Sequence, residues 1–315
     1  MDLKNTVAYL PIKKYKFVLQ LKEGIIFPDF KGSKFRRGFG KALKKISCVK
    51  KKSSCETCVL KPKCVYEILF EAKISNKEYK LLGLAEPPRP FVLEPPLDKK
   101  KKYDAGEKFE LDVLIFGNSI QFLPYIIFTF NELGKKGIGE TKAKYELFSV
   151  ETVDGKLIYE PKAQTFFNHD STINLFFDEN NNQINQIKIK FLTPTRVKTE
   201  GKSEPDIPFQ TLIKSLIRRL VGLLIFYTDK NLEYNFDYII NDAAKIVLQY
   251  SNLKWVEVER YVTQQNTIMR MKGFIGEVVY QGDLTKFYPL LKIGEYIHVG
   301  KNTTFGLGKY EIVKI

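Results

Sequence analysis

The sequence predicts an α+β protein in which a βαββαβ unit occurs twice in tandem. Three observations carry that expectation. Some segments alternate apolar and polar residues with period two, while others repeat them at helical spacing. The two kinds follow the same order in each half of the chain, and both halves close on a glycine-rich stretch feeding a strand. At 315 residues the chain has room for two domains of ordinary size, placed here at 1–155 and 156–315.

In the first half, KYKFVLQL (14–21) reads as a strand. Ser33 stands where an N-cap would, and Phe35, Phe39, Leu43 and Ile46 then share one face of a helix. Beyond a cysteine-rich insert, strands are predicted at 90–94 (PFVLE) and 107–116 (EKFELDVLIF). Pro124 begins an apolar helix that Gly134 stops, and a strand follows at 144–151. The second half repeats this order. A strand at 185–192 leads to a helix at 208–227, in which Phe209, Leu212, Ile213, Leu216, Ile217, Leu220, Val221, Leu224 and Ile225 keep an unbroken i, i+3, i+4, i+7 pattern. A second helix is expected at 235–249, strands at 253–262 and 269–280, a short helix at 284–292, and a final strand at 308–314. GIGETKAKYEL (Gly137–Leu147) holds the place in the first half that GLGKYEI (Gly306–Ile312) holds in the second. Two tandem ferredoxin-like domains is the favoured reading, with a generic α+β arrangement as the alternative.

Composition narrows the partners. Lys and Arg number 51 against 36 Asp and Glu, a net charge of +15, which favours polyanions: nucleic acid first, an anionic membrane surface second. The opening MDLKNTVAYLPIKKYKF lacks the apolar core of a secretion signal. The longest apolar run, Leu220–Phe226, falls far short of the roughly 20 residues that span a bilayer. A cytoplasmic protein with no membrane partner is expected.

The stretch HVGKNTTFGLGKY (298–310) is the most informative. Gly300, Gly306 and Gly308 have no Cβ to keep a ligand away from the backbone. Lys301 and Lys309 add charge, and Asn302, Thr303 and Thr304 add groups suited to phosphate and ribose. No phosphate-loop pattern G-x-x-x-x-G-K-[ST] occurs. FRRGFGKAL (35–43), PPRPFVLEPP (87–96), GKKGIG (134–139), FLTPTRVK (191–198) and ERY (259–261) precede it. In that order, these six segments resemble those of the CRISPR precursor-RNA-processing endoribonucleases of the RAMP superfamily.

The resemblance implies two ferredoxin-like domains that hold CRISPR repeat RNA at the cleft and on basic faces. It also implies a cut without a catalytic metal or small-molecule cofactor: the ribose 2′-OH attacks the adjacent phosphate, leaving a 2′,3′-cyclic phosphate and a 5′-OH. Such chemistry needs a base for the 2′-OH, an acid for the leaving oxygen and cations for the phosphorane. Many members carry a histidine near the end of the first helix, whereas this chain has Lys41, Lys44 and Lys45 there and no histidine before His169. His298, beside the glycine loop and titrating in the useful range, becomes a catalytic candidate with Lys41 and Tyr261. His169, in FFNHDST, is a weaker one. Arg36, Arg37, Lys44, Lys45 and Arg260 join the loop residues as RNA contacts, the plain alternative for each being a solvated or ion-paired surface residue. Arg218 and Arg219 interrupt an apolar helix and are expected to face RNA, while Lys99–Lys102 is expected to be a mobile loop adding nonspecific affinity. The missing first-helix histidine also supports a second reading, a catalytically inactive RNA-binding subunit partnered by other members of a CRISPR effector complex.

All four cysteines lie between 48 and 64, spaced Cys48-x6-Cys55-x2-Cys58-x5-Cys64. Clustering of this kind in a cytoplasmic protein favours metal over disulfides. Four thiolates suit tetrahedral Zn²⁺ or a [4Fe–4S] cluster. The spacing resembles the cluster loop of helix-hairpin-helix DNA glycosylases, which favours iron; four unligated thiols is the alternative. The expected role is structural, pinning a basic insert (Lys50, Lys51, Lys52, Lys61 and Lys63) to the first domain.

Overall fold

The computed structural model describes residues 3–49, 55–74, 86–175, 183–197, 206–230, 236–262 and 267–313, excluding the side chains of 259–262 and 267–269. They divide into two compact units, Pro11–Lys80 with Ala85–Ile173, and Met1–Leu10 with Asn174–Ile315. The boundary thus falls 18 residues beyond the expected position (173 against 155), and the first ten residues go with the second unit.

The chain opens with α1 (Leu3–Ala8) and then builds the first domain from β1 (Ile12–Leu21), β2 (Ile25–Ile26), α2 (Gly32–Ser47), β3 (Phe91–Glu94), β4 (Lys102–Tyr103), β5 (Lys108–Phe116), α3 (Leu123–Lys136) and β6 (Tyr145–Thr152). A hairpin, β7 (Leu157–Glu160) and β8 (Thr165–Phe166), extends the edge. Its sheet runs β3-β5-β1-β6-β7-β8. In β1 the alternate residues Tyr15, Phe17, Leu19 and Leu21 turn to the core, where Phe35, Phe39 and Leu43 of α2 meet Ile126, Ile127, Phe130 and Leu133 of α3. Aromatic rings dominate the junction: Phe130 lies 4.8 Å from Phe17 and 5.3 Å from Phe39. Such pairs each add about 0.5–1.5 kcal/mol beyond the area they bury.

The second domain follows with β9 (Gln186–Thr195), α4 (Phe209–Tyr227), α5 (Asp237–Ala243), β10 (Val247–Val262), β11 (Thr267–Gln281), α6 (Tyr288–Ile297) and β12 (Tyr310–Val313). Its sheet order, β10-β11-β9-β12, reproduces β3-β5-β1-β6 position for position. Both units are therefore ferredoxin-like: two central strands are flanked by the outer two, with both helices on one face.

The duplication reaches individual atoms. In the first domain Gly134 of α3 lies against Tyr145 of β6, whose hydroxyl donates to Phe130 O at 2.8 Å. In the second, Gly294 of α6 lies against Tyr310 of β12, whose hydroxyl donates to Leu291 O at 2.6 Å. A Cβ at Gly134 would overlap the Tyr145 carbonyl, and one at Gly294 would overlap the Tyr310 hydroxyl. Each helix then ends on a residue of positive φ, Gly137 at 81° and His298 at 62°, whose N–H returns to the helix at Leu133 O and Gly294 O, both 2.9 Å away.

Four expectations need correcting. Ser33 lies inside α2 and makes no cap; Lys31 holds that position. Gly134 does not stop α3, which runs to Lys136. The helix expected at 235–249 ends at Ala243, because Val247 and Leu248 already pair with Gln281 and Tyr280 of β11. Lys99–Lys102 is not a free loop: Lys100 pairs with Glu107 at 2.7 Å, Lys101 with Asp29 at 2.6 Å and Lys102 with Asp104 at 3.1 Å.

Because a methyl group fits at neither helix glycine without moving backbone or ring, Gly134→Ala and Gly294→Ala should each lower stability by about 1–3 kcal/mol. Thermal melts of each variant alone would check this, and an unchanged midpoint would contradict the joint described above.

Candidate nucleic-acid interface

The glycine loop is built by its contacts with β9. Val299 N–H donates to Gly308 O at 3.0 Å, Lys301 N–H to Arg196 O at 3.0 Å, and Gly308 N–H to Pro194 O at 3.2 Å. Thr193 Oγ1 donates to Gly306 O at 2.9 Å and accepts Lys309 N–H at 2.8 Å. Gly300 and Gly308 have φ of 87° and 74°, and a Cβ on either would overlap a carbonyl, of Arg196 or of Val299. The close approach that Gly300 and Gly308 permit is therefore to the protein's own backbone, where a ligand was expected, and Gly306 takes a φ of 85° within the same loop. Thr303 and Thr304 are likewise turned inward, 5% and 7% exposed. Lys301 and Asn302 stand out at the loop's tip.

His298 departs most from expectation. Its side chain is 0% exposed, so it faces no phosphate. Nδ1 lies 2.9 Å from Leu307 O, and since a carbonyl only accepts, Nδ1 carries the proton. With φ 62° and ψ 170° the residue occupies a backbone region that is essentially glycine's, at a cost of about 1–3 kcal/mol. The ring hydrogen bond and complete burial hold it there. Beside it, Arg219 of α4 is also buried and donates through Nε to Ile297 O, at the C-terminal end of α6. Burial lowers its pKa, yet guanidinium stays charged in proteins, and the charge meets the negative end of the helix dipole. Arg219 is thus a strut inside the domain, whereas its neighbour Arg218 is exposed.

On the first domain, α2 presents Arg37, Lys41 and Lys45 at i, i+4, i+8 along one stripe, with Lys44 beside it. Lys41, Lys44 and Lys45 are exposed and Arg37 half-buried. Among the described residues, no ion pair engages Lys41 or Lys45. Like charges at this spacing repel by about 0.2–0.5 kcal/mol per pair, a cost that an approaching polyanion removes. Arg36 turns away: its guanidinium lies 4.0 Å from the Phe70 ring centre and 5.5 Å from Phe91, so it packs instead of meeting RNA. Lys44 is drawn over Tyr66, 5.2 Å from its centroid.

Arg260 and Tyr261 have side chains outside the described residues. His169 is exposed, in the stretch after β8. Arg196 was missed by the sequence reading: it is exposed and hydrogen-bonded by its backbone to Lys301, so two cations flank the loop. The only signal for it is its place at the end of a strand, which charge alone does not distinguish. Cys48, Cys55, Cys58 and Cys64 are half-buried, and none forms a disulfide. Among the described residues, no three His, Cys, Asp or Glu side chains are placed to hold a metal ion, and no helix is long and apolar enough to cross a membrane.

Two ferredoxin-like domains in tandem, the second closing on a glycine loop tipped with cations, are the fold that comparison with known proteins has to match. Residues 10–171 match an N-terminal-domain family (AF_1859_N), and residues 189–310 match the model of the CRISPR-associated endoribonuclease Cas6. The first of these models spans just over half of the chain, which belongs to that N-terminal-domain family, while residues 189–310 are similar to Cas6. An uncharacterized protein of Archaeoglobus fulgidus is 29% identical over 295 residues, covering 90% of this chain and 92% of that one. Among solved structures, a Cas6 product complex superposes with a TM-score of 0.57 at 15% identity, covering 96% of this chain and 99% of the other. Thermus thermophilus Cas6 gives 0.52 at 14% identity, with coverage of 96% and 99%. A chain of a partial Cas6-RT-Cas1–Cas2 complex gives 0.55 at 13%, where 96% of this chain matches 46% of that one. At these identities the structural likeness establishes the fold.

His298→Ala should therefore act on stability: it leaves the Leu307 carbonyl unmatched and empties the space of a buried ring, lowering stability by about 1–3 kcal/mol. RNA affinity of the folded variant should be unchanged, while Lys301→Ala should weaken binding and reduce the salt-dependence slope by about 1. Parallel melts and salt titrations check both.

Proposed function

We propose that this protein binds CRISPR repeat RNA and cuts it without a catalytic metal, the 2′-OH of one nucleotide attacking the next phosphate to leave a 2′,3′-cyclic phosphate and a 5′-OH. The observation that carries the reading is the basic stripe of half-buried Arg37 with exposed Lys41 and Lys45 on α2, in a chain whose residues 189–310 match the Cas6 model. With His298 enclosed, the chain relies on orienting the 2′-OH in line with the phosphate and on placing cations where charge develops. Lys41 is assigned to the phosphorane, Lys301 and Arg196 to the RNA backbone, and Tyr261 to proton transfer with the leaving oxygen or the 2′-OH.

One observation favours a second reading. Among the described residues, the sole exposed histidine is His169, so an RNA-holding subunit without catalysis accounts for the same surface.

Incubating the protein with repeat RNA in EDTA, with folding followed by circular dichroism, separates the two. The nuclease reading predicts one cut with a cyclic phosphate end, slowed about 10²-fold or more in Lys41→Ala. Tight binding with intact RNA, by protein that remains folded, would leave the holding subunit.

A further inference from the structure

RNA binding leaves the four cysteines unused. Cys48 ends α2, its N–H donating to Lys44 O at 3.0 Å. The segment then returns through tight turns: Cys58 N–H reaches Cys55 O at 3.4 Å, Lys61 N–H reaches Cys58 O at 3.0 Å, and Cys64 N–H reaches Lys61 O at 3.3 Å. Ile68 N–H to Cys64 O, at 3.0 Å, starts the next helical turn. That turn is fixed to α2 through Arg36 over Phe70 and Lys44 over Tyr66. The result brings Cys48, Cys55, Cys58 and Cys64 to the walls of one cavity of about 180 Å³.

Size and charge indicate what such a cavity takes. One water or ion occupies roughly 10–15 Å³ by this kind of measure, far less than the space available. A lone zinc would draw all four sulfurs to about 2.3 Å from a single point. All four cysteines line this larger space, which suits a polynuclear group with a separate metal for each sulfur. Four thiolates bring four negative charges, and Lys44, Lys61 and Lys63 line the same cavity to offset them. A disulfide reading has no support in the structure, since none of the four is paired.

We propose that this cavity holds a [4Fe–4S] cluster, one cysteine on each iron, each thiol releasing its proton to solvent as it ligates. The cluster fastens the segment from Cys48 to Cys64 onto the end of α2, the helix that bears Lys41 and Lys45. Its role is to hold that basic end in place, and its presence does not depend on whether the protein cuts RNA.

The test is to purify the full chain without oxygen, reconstitute it with equal parts of ferrous and ferric iron and with sulfide, and quantify iron, acid-labile sulfide and zinc beside the visible spectrum. The expected result is about four irons and four sulfides per chain, with broad visible absorption that bleaches on reduction. Cys55→Ser with Cys58→Ser should lose the iron and sulfide and melt at lower temperature. About one zinc per chain without sulfide would overturn the proposal, as would reconstituted protein that holds neither metal and whose four thiols react freely while it is folded. The wild-type metal content decides the matter even where the double variant is insoluble.

Discussion

The architecture depends on one steric constraint, met twice: a helix can lie against the last strand of its domain only where it carries no side chain. At Gly134 and Gly294 the helix surface is bare, and the tyrosine opposite fills the space and anchors itself on a helix carbonyl, Phe130 or Leu291. Any larger residue would displace the strand that begins at that tyrosine. Everything between helix end and strand start is then forced into a short connection, with a positive-φ residue at its beginning in both domains. The loop that follows α6 inherits its position from this joint. Its glycines satisfy contacts with β9, so the loop is rigid support, and Lys301 and Asn302 are presented at its tip.

The buried polar groups of the second domain belong to the same support. Arg219 answers the carbonyl end of α6, and His298 answers Leu307 within the loop, so a charge and a ring that look functional in the sequence both act inside the protein. The cations left at the surface differ in kind. Lys41, Lys45, Lys301 and Arg196 meet no acid among the described residues, whereas Lys188 and Lys190 on the open face of β9 pair with Glu277 at 2.8 Å and Glu311 at 3.5 Å. Net charge is thus concentrated by the structure, since much of the sheet surface neutralises itself and α2 and the glycine loop do not.

Much of the fold was legible because period-two and period-3.6 patterns are strong where one face is buried; β1, β5, α3 and α4 fall within a few residues of their expected places. The repeated KYE before a branched aliphatic residue, at 144–147 and 309–312, marked the two closing strands correctly. What failed was local. AKIVLQY reads equally as helix or strand, and only pairing with β11 decides it. The site was less legible, because sequence reports residue type and not direction. Arg36 and Arg37 are adjacent and identical, yet one lies on Phe70; Arg218 and Arg219 divide in the same way between surface and core. His298 drew attention by its rarity and its neighbours, while the feature that explains it, a backbone angle natural to glycine, is invisible without coordinates.

The central claim is that the RNA's own 2′-hydroxyl is the nucleophile, with the protein supplying position and positive charge. The most direct measurement is cleavage of a repeat RNA bearing one 2′-deoxynucleotide immediately 5′ of the cut, compared with the all-ribose strand. The account predicts that the modified RNA binds with the same affinity and is not cut at that position. Cleavage of the deoxy strand at the same phosphate would contradict it, because the attacking oxygen would then have to come from water.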